Sequence, residues 1–368
     1  MLLKSANQNI NFYRTAESVS PRHPDKLCDQ ISDAILDAYL AKDPDARVAA
    51  ETCGGHGVVF VTGEITSTAT DIDIPAIVHR IAGDNLLVHT KIVHQSPEIA
   101  QGVDTGGAGD QGIMIGYATD ETPELLPREV VISRHLNEYI FSKYPYDGKT
   151  QVTIAPDGSI SSIVASFQNV SREELKQLVE EFIERNGLKG ASNLSSSDRR
   201  LGRAPLKAPW DAGAERRVSE KERLEHHRID LHINPAGDWH QGGFDADTGL
   251  TGRKLIVDNY GPAIAIGGGA FSGKDPSKVD RSAAYMARRI AVDYLRARHA
   301  HEVLVRLAYA IGHPDPLEQT VIVDGNPEQI TGYDLTPQGI IKFLDLKRPI
   351  YEQTARYGHF GHAFPWDV

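Results

Sequence analysis

The alternation of apolar and polar positions divides this chain into short strands and amphipathic helices that recur in three stretches. Leu27, Ile31, Ile35 and Ala38 form a helical stripe, and Pro24 suits a first turn, so residues 24–41 read as a helix. On its other face Asp25, Asp29, Asp33 and Asp37 repeat at every fourth position, and the last three read as solvated surface. Residues 47–52 and 58–66 read as two strands of a hairpin, 73–82 and 126–143 as helices, and 150–155 with 159–167 as a second hairpin. A helix over 171–185 opens on Ser171 and Glu174, which are spaced as a capping box. Further on, residues 229–233, 255–259, 303–310 and 319–323 read as strands, and 279–296 and 337–346 as helices. The expected fold is α+β. It consists of three similar α+β domains at 12–103, 104–190 and 228–366, each a small mixed or antiparallel sheet with helices on one face. A polar insertion at 191–227 interrupts them, and residues 1–11 read as a loose arm.

Composition narrows the class. The 368 residues are 40% hydrophobic and 24% charged, values of a water-soluble globular chain. A net charge of -11 argues against general nucleic-acid binding, so any polyanion must meet a local basic cluster. No stretch reaches the roughly 18 apolar residues of a membrane span, and no signal-peptide core opens the chain, so a cytoplasmic enzyme is expected. Cys28 and Cys53 lack C-x-x-C spacing and read as small packed residues.

The densest chemistry lies at residues 260–294. Gly267, Gly268 and Gly269 let the backbone approach a ligand and aim several N–H groups at one place. Gly268 to Lys274 satisfies G-x-x-x-x-G-K, but Asp275 stands where that phosphate-binding pattern needs Ser or Thr for magnesium, which argues against a standard nucleoside-triphosphatase loop. Lys274, Lys278 and Arg281 alternate with Asp275 and Asp280, a set suited to phosphate and to a hard, oxygen-seeking cation. The plainer alternative is a glycine turn before a charged helix start. His23, Asp25 and Lys26 form a second candidate corner, and Glu51 and Glu64 are carboxylates on apolar strands that need a partner or water. The glycine-rich loop between Gly102 and Gly112 reads as a mobile lid, with Asp110 and Gln111 held near the core by the apolar run that follows.

Taken in order, AESVSPRHPDK, GEIT, QSPEIAQGVD, GAGDQG, GLTGRK, GGGAFSGKDPSKVDRSAAY and YGHFG resemble S-adenosylmethionine synthetases, also called methionine adenosyltransferases. The resemblance spans about residues 12–366 and implies three α+β domains and a homodimer with active sites at the subunit interface, or a tetramer of paired dimers. It implies that ATP and L-methionine give S-adenosylmethionine, with triphosphate split to phosphate and pyrophosphate, and that Mg2+ (two per site) and K+ serve the reaction. By the same resemblance, His23 faces the oxygen leaving the ribose, and Asp25 and Asp280 hold magnesium, while Glu51 is associated with potassium. Lys149, Arg253, Lys254 and Lys274 hold the triphosphate; His23, Lys149, Arg253 and Lys274 form the catalytic set. Glu64, Gln95, Asp247 and Lys278 match the methionine site. Asp110, Asp147, Asp247 and Ala270 line the nucleotide, with Trp239 against adenine. Asp238 stands where many members carry a basic residue on ATP, and the 102–109 loop is shorter than usual.

Overall fold

The computed structural model describes residues 12–95, 106–190 and 229–368. The N-terminal arm, residues 102–105 of the expected lid and the whole polar insertion lie outside the described residues.

Helix α1 (Pro24–Leu40) begins where expected, with Pro24 in its first turn and the His23 side chain capping it. The strands Arg47–Gly55 (β2) and Val58–Thr66 (β3) pair antiparallel, while Leu87–Val93 (β4) joins β3 in parallel after helix α2 (Ile74–Ala82). Gly249–Leu250 completes this first sheet on the far side of β2. Both helices lie on one face, where α1 packs on β2 and α2 packs on α1.

The other two sheets combine distant stretches of chain. Arg14–Val19, ahead of α1, pairs with Gly148–Ile154, which pairs with Ile160–Phe167 and then Asp230–Ile233. Helices Arg128–Lys143 and Arg172–Arg185 cover it, and the Ser171–Glu174 capping box is present. Gly112–Thr119 lies beside Glu302–Tyr309 in the third sheet, with Glu318–Val323 and Asn326–Gln329 beyond. The long helix α6 (Val279–Arg298) packs across the third sheet. Three α+β units therefore form, each a four-stranded sheet with helices on one face, but their strands cross the sequential divisions. One hydrophobic core runs through the first and third units, and the second has its own.

Two expectations change. Residues 255–259 form a single helical turn, Leu255–Asp258, in place of a strand. Asp258 is 3% exposed and paired with the buried Lys26, so the turn is held by a charge contact that apolar alternation could not reveal. The acidic row of α1 is not solvated surface: Asp29 and Asp33 are 1% and 0% exposed, and Asp37 accepts the backbone N–H groups of Tyr351 and Glu352. Nearly the whole circumference of α1 is enclosed over its first three turns, and each carboxylate meets a donor from a distant segment. Cys28 is buried, Cys53 is half-buried, and both are free thiols. The C-terminal aromatics pack inward, with Trp366 stacked on Tyr285 at 3.7 Å.

Candidate active site

The chain turns sharply after its first strand, with Ser20 N–H donating to the Gly148 carbonyl and His23 N–H to that of Ser20. That turn sets His23 and Asp25 at the start of α1, close to the strand that carries Lys149. Asp25 is 1% exposed and well supplied with donors: Lys254 Nζ at 2.5 Å, Leu250 N–H at 3.0 Å and Arg253 Nε at 3.5 Å. The hydrogen bonds from Lys254 and Leu250 outweigh burial and lower the Asp25 pKa. Asp147, mostly buried, accepts from Gly243 N–H at 3.0 Å, and burial raises its pKa. Lys149 lies opposite Val19, just ahead of the turn that carries His23, and Asp247 donates its N–H to the carbonyl of Gly243, whose own N–H binds Asp147, so all four gather at one corner. Trp239 approaches the same corner: its carbonyl accepts from Asn169, next to Gln168, which binds Asp147. Its indole N–H is shielded without a partner among the described residues. Asp238 is exposed and accepts from Asn234 at 3.2 Å.

His23 Nδ1 accepts the Asp25 N–H at 3.2 Å, so in the neutral ring the proton sits on Nε2, which is then a donor. Burial, followed by the charges of Lys254 and Lys149, lowers the His23 pKa to about 3. The unfolded chain, with a histidine near 6.5, therefore binds more protons between those values. His23 contributes full stability above pH 6.5, and that contribution drains away as pH falls toward 3. We expect the His23 ring resonances, followed by NMR, to stay those of neutral imidazole from pH 8 to about 5. A midpoint near 6.5 would show that the two cations do not face it.

A second group forms on the glycine-rich loop. A Cβ placed on Gly269 would lie 2.3 Å from the Asp280 carboxyl carbon, so the loop runs directly over that side chain. Lys274 Nζ pairs with Asp280 Oδ2 at 2.6 Å. Gly112 borders the same carboxylate, with exposed Asp110 two residues before it. Lys278 caps α6 and pairs with Asp275, whose other contacts are structural: it accepts Val48 N–H at 2.7 Å and donates its own N–H to the Val48 carbonyl. Asp275 thus fastens the loop to β2, and Lys274 precedes the helix by several residues, unlike a triphosphatase loop that runs straight into one. The two groups meet where a Cβ on Gly252 would lie 2.5 Å from Ala270 Cβ.

Glu51 and Glu64 lie on the uncovered face of the first sheet. Registers run Lys274–Ala49–Glu64–Val93 across one row, so Glu64 stands two strand spacings, about 10 Å, from Lys274. The parallel row holds Glu51, Thr62 and Lys91. Gln95 follows the end of β4, half-buried, its side-chain oxygen shielded and unpartnered among the described residues. Within one chain, then, the corner of His23, the loop of Lys274 and the open sheet face are three neighbouring groups.

Sequence reasoning missed Asp29 and Asp258 and read Lys26 and Arg281 as groups for a ligand, whereas all four hold these groups in place. The one available signal was the strict four-residue repeat of acids on α1, which is ambiguous between a solvated and an internally paired row.

A hydrogen-bonded neutral imidazole, converging cations and paired carboxylates beside a glycine-rich loop are groups of the kind that enzymes set around a polyphosphate. Residues 11–97 match the family described as S-adenosylmethionine synthetase, N-terminal domain; 105–198 match the central domain and 241–368 the C-terminal domain. The chain is 41% identical to the S-adenosylmethionine synthase of Thermus thermophilus, over 96% of this chain and 95% of that one. It is 42% identical to the S-adenosylmethionine synthase of Treponema denticola, covering 98% and 96%. Identity to S-adenosylmethionine synthase 1 of Frankia casuarinae is also 42%, covering 95% and 94%. The chain belongs to the S-adenosylmethionine synthetase family, the methionine adenosyltransferases. No helix among the described residues is long and apolar enough to cross a membrane.

Proposed function

We propose that this enzyme joins the sulfur of L-methionine to C5′ of ATP, releasing triphosphate, and then hydrolyses the triphosphate to phosphate and pyrophosphate. The observation that carries this reading is the gathering of His23, Asp25, Lys149, Arg253 and Lys254 at one corner that touches the Lys274 loop through Gly252 and Ala270. Thioether sulfur needs no base, so the protein's task is to align it and to neutralise the departing oxygens. His23 presents a neutral Nε2–H donor to the leaving oxygen, while Lys149, Arg253, Lys254 and Lys274 receive the triphosphate charge. Asp147, Asp110, Asp247, Ala270 and Trp239 border the nucleotide, and Glu64, Gln95, Asp247 and Lys278 the amino acid.

Among the described residues no three His, Cys, Asp or Glu side chains converge as a ready-made metal cage. Magnesium commonly takes one or two carboxylates together with phosphate oxygens, and Asp25 and Asp280, each now neutralised by a lysine, fit that role for two ions. When bound, such ions add charge stabilisation on the triphosphate oxygens. Glu51, exposed on the sheet face, offers potassium one carboxylate, so further ligands would have to come from elsewhere. A homodimer supplies them in this reading. The open face carries Phe60, Leu87 and Val93 at 52%, 59% and 47% exposure, an apolar surface that a second copy would cover, enclosing Glu51 and Glu64 at the interface.

The test combines product and mass. With ATP, methionine, Mg2+ and K+ the protein should form S-adenosylmethionine with equimolar phosphate and pyrophosphate, and should sediment as a dimer. ADP formation in place of pyrophosphate would favour a phosphotransferase, and a folded protein yielding neither would overturn the reading.

A further inference from the structure

Asp29 and Asp33 sit one turn apart on α1, and each performs the same operation on a different loop. Asp29 Oδ1 accepts the Gly252 N–H, and Asp33 Oδ1 accepts the Gly273 N–H, each at 2.8 Å. Both glycines are left-handed, with φ of 80° and 81°, and each immediately precedes a cation assigned above to the triphosphate: Arg253 after one, Lys274 after the other. A Cβ on Gly273 would lie 1.9 Å from the Ala50 carbonyl oxygen, so that loop, like the one at Gly252, is pressed against its neighbour at this very residue.

The carboxylates do not act as free charges. Lys26, itself buried, lies 3.2 Å from Asp29 while also gripping Asp258 at 2.7 Å through both oxygens. Arg281, fully buried, takes Asp33 by two hydrogen bonds of 2.6 and 2.9 Å. Arg281 balances Asp33 alone, while Lys26 is shared between Asp29 and Asp258, and in both cases the oxygen turned to the loop is held in place as a fixed acceptor. An enclosed N–H at each glycine would otherwise be unpaired or would turn elsewhere, carrying the next side chain with it.

We propose that Asp29 and Asp33 are positioning residues, each clamping the backbone of a left-handed glycine and thereby aiming the cation that follows it at the triphosphate. The inference rests on the function proposed above. Asp37, the next acid of the row, provides the contrast: it accepts Tyr351 and Glu352 N–H groups, far in sequence from any cation of the site.

Asp29 gives the cleaner test, because Lys26 keeps both contacts to Asp258 when Asp29 is lost. Asp29→Ala, Asp29→Asn and Asp37→Ala are compared by steady-state kinetics, thermal melting and calorimetric binding of ATP without methionine. Misplacing a binding group by about 1 Å costs about 100-fold, so Asp29→Ala should lose 10- to 100-fold in kcat. Asp29→Asn retains an oxygen that accepts the Gly252 N–H and should recover most of that loss. Asp37→Ala should melt earlier with unchanged kcat. If Asp29→Ala does not fold, Asp29→Leu, apolar and better filling, carries the same expectation.

Folded Asp29→Ala with wild-type kcat and ATP affinity, or equal losses in the Ala and Asn variants, overturns the proposal. Should the wild-type protein make no S-adenosylmethionine, the functional reading fails, and ATP affinity alone decides this one. A 10-fold weakening confined to Asp29→Ala supports the clamp, and an unchanged affinity refutes it.

Discussion

Lys274→Ala is expected to lower kcat for S-adenosylmethionine formation by about 10²- to 10³-fold, the loss typical of removing one preorganised donor to developing negative charge. Lys274 is anchored twice before any substrate arrives. Its backbone is bridged to Ala49 on β2, and its ammonium pairs with Asp280 at 2.6 Å. Little reorganisation is then needed when triphosphate charge builds, which is the condition under which such a cation accelerates a reaction. The fold should tolerate the change, because the Lys274 side chain is 23% exposed and the Asp280 side chain it leaves is 15% exposed, within reach of water. Melting should therefore shift little while turnover collapses. Lys274→Arg should recover only part of the rate, since a planar fork does not replace a compact point charge. A Lys274→Ala enzyme within threefold of wild type would remove this lysine from the triphosphate site.

Asp33→Ala should act on the fold instead, destabilising it by about 3–5 kcal/mol, the cost of leaving a buried charge without its partner. Arg281 is 0% exposed and, besides Asp33, meets among the described residues Tyr285 Oη at 3.0 Å, the Lys274 carbonyl at 3.1 Å, Thr354 Oγ1 at 3.1 Å and the face of the Tyr351 ring at 4.3 Å. None of these carries a formal negative charge. The same carboxylate holds Gly273, so the loop should loosen along with the core. Denaturation midpoints of Asp33→Ala and of Asp33→Leu with Arg281→Met separate the causes: the paired apolar replacement should regain part of the stability but none of the activity. Wild-type stability in Asp33→Ala would mean that Arg281 finds water or another anion.

Much of the secondary structure was legible because it is local. The α1 helix starts at the proline that its first turn accommodates, and the helix Arg172–Arg185 opens on the capping box that its spacing announces. The enzyme class was legible for a different reason: the order of GLTGRK and GGGAFSGKDPSKVDRSAAY carries the resemblance, and family comparison bears out that class. Periodicity misleads at residues 255–259, where an apolar run reads as a strand but folds as a helical turn. There Asp258 is drawn inward by Lys26, and a charge contact between residues far apart in sequence decides the backbone.

By itself the amino-acid order determined most of the helices and the hairpin strands, where helices cap, and which chemical groups are available, because these depend on neighbours within a few positions. Only the tertiary structure decided that Arg14–Val19 joins the sheet of Gly148–Ile154, and that Gly112–Thr119 joins that of Glu302–Tyr309. It also decided that an acidic row resembling a wetted face is enclosed and turned to holding loops. Pairing between distant strands and the choice between water and a buried cation are set by what the rest of the chain brings alongside, and neither hydrophobic period nor residue type encodes that.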